Sequence, residues 1–163
     1  MKSLIKALLL VAFISACGTS DKKDEGIDVN SNDSTISSQA MEFDTRGSDS
    51  GNIAGLSTIT FEYDRAALTP SSQALLAQNA EWINKNSGYT VQIEGHCDAR
   101  GSIEYNLSLG ERRARAVKSY LMGLGVDGSR LSIISYGKEK LVDTADSESA
   151  HSVNRRANFV PLK

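Results

Sequence analysis

The chain has 163 residues, 40% of them hydrophobic and 23% charged, enough for one globular domain and little more. Its formal net charge is −2 and becomes −4 once a leader containing Lys2 and Lys6 is removed. The basic residues form no stripe with interleaved aromatics, which argues against a nucleic-acid surface.

Residues 1–16 read as a signal peptide. Lys2 and Lys6 supply the positive start, and Ala7 to Ile14 form an apolar core too short to span a bilayer. The ending Ile14-Ser15-Ala16-Cys17 resembles a bacterial lipobox, in which small residues precede an acylated, cleaved cysteine. The alternative is an ordinary signal peptide with an incidental cysteine. Two or more acyl chains on Cys17 would anchor the chain stably, at about 0.8 kcal/mol per buried methylene. Gly18 after the cysteine, by resemblance to lipoproteins of this kind, implies sorting to the outer membrane.

Residues 17–56 read as a lipidated N-terminus and a flexible polar tether, rich in Gly, Ser, Asp and Asn with scattered apolar side chains. Flexible chain of that length reaches about 35 Å root-mean-square. The folded domain is expected over 57–163. Ile59, Phe61 and Tyr63 alternate with Thr60, Glu62 and Asp64 as a first strand. Thr69-Pro70 opens a helix as cap and first residue, with Leu75, Leu76, Ala80 and Ile83 on its apolar face. Asn86-Ser87-Gly88 ends it.

A second strand over 89–96 places Tyr89, Val91, Ile93, Gly95 and Cys97 on one face. Thr90, Gln92, Glu94, His96 and Asp98 fall on the other, which reads as the polar side. The helix over 103–122 carries Leu109, Ala116, Val117, Tyr120, Leu121 and Leu124 as its stripe, with Gly123 and Gly125 near its C-terminal cap. Residues 131–136 form a third strand, apolar in part on both sides and so expected in the interior. A charged loop over 137–150 follows, with a helical turn near 147–153. The last strand runs over 157–162, where Pro161 is tolerable only at an edge or an end. The order β-α-β-α-β-β predicts an α+β domain, with helices packed on one face of a mixed four-stranded sheet.

Arg113 lies on the core-facing stripe of the second helix, one turn beyond Leu109 and two beyond Asn106. A guanidinium there is costly unless paired, and the nearest partner in sequence is Asp98, across the loop. The two define a polar notch. One reading is an internal ion pair. The other is a grip on a zwitterion, a carboxylate taking an ammonium and a guanidinium taking a carboxylate, backed by the Asn106 amide. A free amino-acid end, an amine and a carboxylate on one carbon, fits, and spacing alone does not single out which. Loss of either charge is then expected to cost affinity by about 2–5 kcal/mol, with little loss of fold.

Cys97, without an intrachain partner if Cys17 is lipidated, reads as a small buried apolar residue. The competing reading makes it a nucleophile with His151 as base, in a periplasmic cell-wall hydrolase. A metal at His96-Cys97-Asp98 is disfavoured because adjacent strand residues point to opposite faces.

The stretch GHCDARGSIEYNLSLGERRARAVKSYL, followed by SIISYGKEK and NRRA, resembles the peptidoglycan-associated lipoproteins of Gram-negative bacteria and, more broadly, the OmpA-like peptidoglycan-binding domain. The resemblance covers about 57–163 with its motifs in the family's order. It implies non-catalytic, cofactor-free binding of the diaminopimelate-containing stem of peptidoglycan, and partnership with TolB and the Tol system at the outer membrane, the domain facing the periplasm. It maps Asp98 onto the ammonium acceptor and Arg113 onto the carboxylate clamp. Asn106 and Leu109 line the site, and Tyr63-Asp64 matches an aromatic-Asp pair after the first strand. Asn154-Arg155-Arg156 matches a C-terminal signature read mainly as a loop-to-strand lock. Cys97, Glu62 and Lys140-Leu141-Val142 depart from the family's pattern. A Tol-system scaffold without wall binding remains an alternative.

Overall fold

The computed structural model describes residue 53 and residues 55–163. The leader, Cys17 and nearly all of the tether lie outside the described residues. Four strands, β1 (Ile59–Thr60), β2 (Thr90–His96), β3 (Leu131–Gly137) and β4 (Arg156–Leu162), form one sheet in the order β1-β4-β2-β3. β4 runs antiparallel to both β1 and β2, and β2 runs parallel to β3. Helices α1 (Pro70–Lys85), α2 (Ile103–Gly123) and α3 (Glu148–Asn154) complete the α+β fold, with a 3₁₀ turn at Gly128–Arg130. The expected element order and mixed sheet are both present.

The core lies between the sheet and the two long helices. Ile59, Val91, Ile93, Ala157 and Phe159 meet Leu76 and Ile83 of α1 and Ala114, Val117 and Leu121 of α2. The helix starts follow from their caps. Thr69 Oγ1 accepts the Ser72 N–H at 3.2 Å and Pro70 occupies the first turn, while Ser102 Oγ accepts the Tyr105 N–H at 3.1 Å. Leu56 is buried and Ile53 packs against the same core. Asn79 ties this entry segment down, accepting the Ser57 N–H at 2.7 Å and donating to the Ser57 carbonyl at 2.8 Å.

Several local expectations are corrected. β1 is only two residues long, so Tyr63 leaves the sheet and is exposed. β3 is an edge strand, its middle half-buried, although its apolar composition reads as interior. β4 is flanked on both sides, but β1 pairs only with Arg156 and Ala157, so Pro161 sits where β4 has one neighbour. The buried stripe of α2 is centred on Asn106, Leu109, Gly110, Arg113, Ala114, Val117 and Leu121, and Leu124 beyond its end is exposed.

The second face of β2 is not a solvated polar side. Glu94 and His96 are almost fully buried. His96 stacks on Tyr136 at 5.5 Å between ring centroids, and Lys140 Nζ lies 3.6 Å over that Tyr136 ring. Asn158, opposite Glu94 in register, and Arg156 complete a polar layer. The charged loop closes over it because Asn154 Oδ1 accepts the Val142 N–H at 2.7 Å and Asn154 Nδ2 donates to the Asp143 carbonyl at 2.6 Å.

Candidate functional site

The predicted site residues come together. Tyr63, Asp64, Asp98, Asn106, Leu109 and Arg113 line one open cleft, with Cys97, Arg100, Gly101 and Tyr105. It lies where β2 ends, where the 97–102 loop turns and where α2 begins. Gly101 makes that turn at φ +86°, a conformation side-chain-bearing residues avoid. Asn106 Nδ2 holds the loop through the Arg100 carbonyl at 2.6 Å and the Ser102 carbonyl at 2.9 Å. Lys138 Nζ secures it from the far side through the Gly101 carbonyl at 2.6 Å. Asn106 is therefore a loop anchor as well as a wall of the cleft.

Asp98 and Arg113 share the cleft but do not pair. Arg113, wholly buried, donates from Nε to the Arg65 carbonyl at 2.8 Å, from Nη1 to the His96 carbonyl at 2.8 Å and from Nη2 to the Glu62 carbonyl at 3.1 Å. Nη1 also reaches Cys97 Sγ at 3.5 Å. A guanidinium has five N–H groups, and these contacts engage four of them, leaving one on Nη2. The expected two-pronged clamp is thus largely spent on the protein's own backbone. The expectation that Arg113 can be removed with little loss of fold is corrected with it.

Asp98 finds its cations elsewhere. Arg100 donates to Oδ1 from Nε at 3.2 Å and to Oδ2 from Nη2 at 2.6 Å, and its backbone N–H reaches Oδ1 at 3.2 Å. Arg155, in the signature read as a lock, reaches Oδ2 from Nη1 at 3.4 Å. Burial pushes the Asp98 carboxyl up, but these hydrogen bonds outweigh it and the net is a carboxyl below its ordinary value. Arg100 also lies over the Tyr63 ring at 4.2 Å. Tyr105 donates from its hydroxyl to Asp64, whose backbone sits at φ +55°.

Arg100 and Tyr105 are the members that sequence reasoning passed over. The signal for Arg100 was present: a cation two residues from a loop carboxylate can close a short ring onto it. Glu148 on α3, reaching Arg155 at 2.8 Å and Arg100 at 3.5 Å, lay too far along the chain to be paired by spacing.

Cys97 and His151 make no hydrogen bond to each other. The Cys97 thiol faces the Asn106 carbonyl at 3.3 Å, and burial pushes it up from its ordinary value, away from the thiolate a nucleophile needs. His151 Nε2 is engaged with Asp146 at 3.1 Å. Among the described residues no group of three or more His, Cys, Asp or Glu side chains could hold a metal.

His96 adds a testable electrostatic feature. Burial lowers its pKa, the Glu94 hydrogen bond opposes that, and Arg156 reinforces it. The unfolded chain takes up its proton near pH 6.5, whereas the folded one resists until lower pH. Stability is therefore fully present above about pH 6.5 and is lost on acidification, by up to about 1.4 kcal/mol per pH unit. Urea denaturation between pH 7.5 and 5.5 is expected to show this slope, and His96→Gln to flatten it. An unchanged slope in the variant would move the effect to other groups.

Residues 60–155 match the OmpA family. A peptidoglycan-associated lipoprotein of Rhizobium meliloti is 48% identical over 99 residues, 61% of this chain and 56% of the relative. The chain thus spans little more than half of that relative's length. A peptidoglycan-associated lipoprotein of Haemophilus influenzae is 35% identical over 164 residues, covering 96% of this chain and 97% of the relative. Among solved structures, the peptidoglycan-associated lipoprotein from Burkholderia pseudomallei superposes with a TM-score of 0.62 at 37% identity, over 64% of this chain and 89% of that one. The C-terminal domain of Helicobacter pylori MotB shares the fold, with a TM-score of 0.63 at 23% identity over 67% of this chain and 86% of that one. The chain belongs to the OmpA family, and its relatives there include peptidoglycan-associated lipoproteins.

Proposed function

We propose that the cleft binds the diaminopimelate-containing peptide stem of peptidoglycan non-covalently, and that the chain tethers the outer membrane to the cell wall. The observation that carries this reading is one small cleft lined by both Asp98 and Arg113. An ammonium and a carboxylate on one carbon complement that pair. Asp98 takes the ammonium as a charge-assisted acceptor, and the remaining Arg113 N–H takes the carboxylate. Leu109 supplies an apolar wall, and Tyr63 and Asp64 form the rim. In this reading Cys17 carries the lipid, the domain faces the periplasm at the end of the tether, and TolB of the Tol system is a protein partner. No catalytic step is assigned.

The test is co-sedimentation of the protein with diaminopimelate-type sacculi, comparing wild type with Asp98→Asn. Wild type is expected to pellet and the variant to lose about 2–5 kcal/mol of affinity, with its circular dichroism unchanged. Equal pelleting of both would remove the cleft as the wall site. Pelleting of neither would leave a scaffold of the Tol system whose ligand is another protein.

A further inference from the structure

We infer that Arg100 is a tethered cation that occupies the ammonium position on Asp98 and must be exchanged for the ligand's own, which makes it a built-in competitor that sets the affinity of the cleft. The inference rests on the reading of Asp98 as an ammonium acceptor. A carboxylate offers about four lone-pair sites, and here four hydrogen bonds fill them. Oδ1 accepts the Arg100 backbone N–H and Nε, and Oδ2 accepts Arg100 Nη2 and Arg155 Nη1. A ligand ammonium therefore finds no unused lone pair. One of the two guanidinium groups has to leave.

The surroundings decide which. Arg155 is buried, its Nε held by the Phe61 carbonyl at 3.0 Å and its Nη2 by Glu148 at 2.8 Å. Moving it would strand a charge and a buried carbonyl together. The Arg100 side chain is 37% exposed, with the Tyr63 ring against its guanidinium. A second acceptor already stands beside it, Glu148 Oε2 at 3.5 Å from Nη1. Arg100 can therefore release Asp98 without losing a carboxylate partner. Its departure frees one position on each Asp98 oxygen and uncovers the Tyr63 ring face lining the cleft.

The exchange filters ligands. A group that brings a cation replaces the one it displaces, so charge on Asp98 stays balanced. A neutral group of the same shape would have to expel Arg100 and leave a nearly buried carboxylate one cation short, a state that burial penalises. Amine-bearing stems are thereby separated from stems whose amine is blocked. The cost of expelling Arg100 falls on both kinds of stem, and only the amine-bearing one recovers it on Asp98.

Calorimetric titration of the full chain tests this with two probes: the L-alanyl-D-glutamyl-diaminopimelate tripeptide, and the same peptide acetylated on its free diaminopimelate amine. Arg100→Gln is expected to bind the free-amine peptide about fivefold tighter, the size of an ion pair exposed on one side. Its affinity for the acetylated peptide, weaker throughout, is expected to rise by a similar factor because that peptide no longer has to expel a cation either, and Arg100→Lys is expected to return both values toward wild type. Weaker binding of both peptides by Arg100→Gln would mean that Arg100 holds the ligand directly. Unchanged binding would make it a bystander. Either overturns the inference while wild-type binding stands. Absence of wild-type binding to the free-amine peptide would instead overturn the stem-binding reading, and the inference with it.

Discussion

Arg113→Ala is expected to abolish wall binding and, in the same step, to destabilise the domain by about 3–5 kcal/mol. The side chain is wholly buried and bonded to the carbonyls of Glu62, Arg65 and His96. Those carbonyls come from the segment after β1 and from the end of β2, so one guanidinium laces two parts of the chain against α2. Each acceptor left unpaired in a dry site costs about 1–3 kcal/mol, and the vacated volume adds to that. Arg113→Lys separates the two roles. It keeps the cation, but a single ammonium on a flexible stem cannot span three acceptors arranged around a planar fork. Partial recovery of stability without recovery of binding is the expected result, read from urea unfolding and sacculus sedimentation on the same samples. A wild-type unfolding midpoint in Arg113→Ala would show that the carbonyl network contributes nothing.

That network also explains what the sequence could and could not disclose. The spacing of Asn106, Leu109 and Arg113 put all three on one helical face, and they line one cleft. The alternation of 89–97 placed Val91, Ile93 and Cys97 toward the core, where they lie. What spacing could not supply was the partner of each charge. Arg113 satisfies itself with backbone carbonyls, and because every residue carries one, no side-chain pattern marks which will be used. Asp98 was consequently assigned the wrong arginine, since its true partners are a neighbour two residues on and another from the far end of the chain. The burial of Glu94 and His96 was hidden for a related reason. A period of two separates the faces of a strand, but says nothing of what covers each one. Here a charged loop, fastened by Asn154, covers the polar face.

Gly95→Ala is expected to give the largest loss of stability of any single methyl addition near the site, about 3 kcal/mol or more. A Cβ on Gly95 would lie 1.9 Å from the Gly110 carbonyl oxygen and 2.6 Å from its carbon, both backbone atoms of α2. The strand and helix touch main chain to main chain at this point, with no flexible side chain to yield. Overpacking of a rigid contact typically costs about 1–3 kcal/mol, and more where backbone must move. Relief requires α2 to lift from β2. Asn106, Leu109 and Arg113 ride on the turns either side of Gly110, while Cys97 and Asp98 follow directly from β2. Lifting the helix therefore pulls the two halves of the cleft apart, and whatever fraction of Gly95→Ala remains folded is expected to lose ligand affinity as well. Gly110→Ala provides the graded comparison. Its Cβ would meet Ser135 Oγ at 2.3 Å, which a rotamer change can clear, and the Gly95 carbonyl oxygen at 2.9 Å, which it cannot. Denaturation midpoints are expected in the order wild type, Gly110→Ala, Gly95→Ala from highest to lowest. A wild-type midpoint for Gly95→Ala would mean that the helix is free to shift, and that the separation of Asp98 from Arg113 is set by the loop between them.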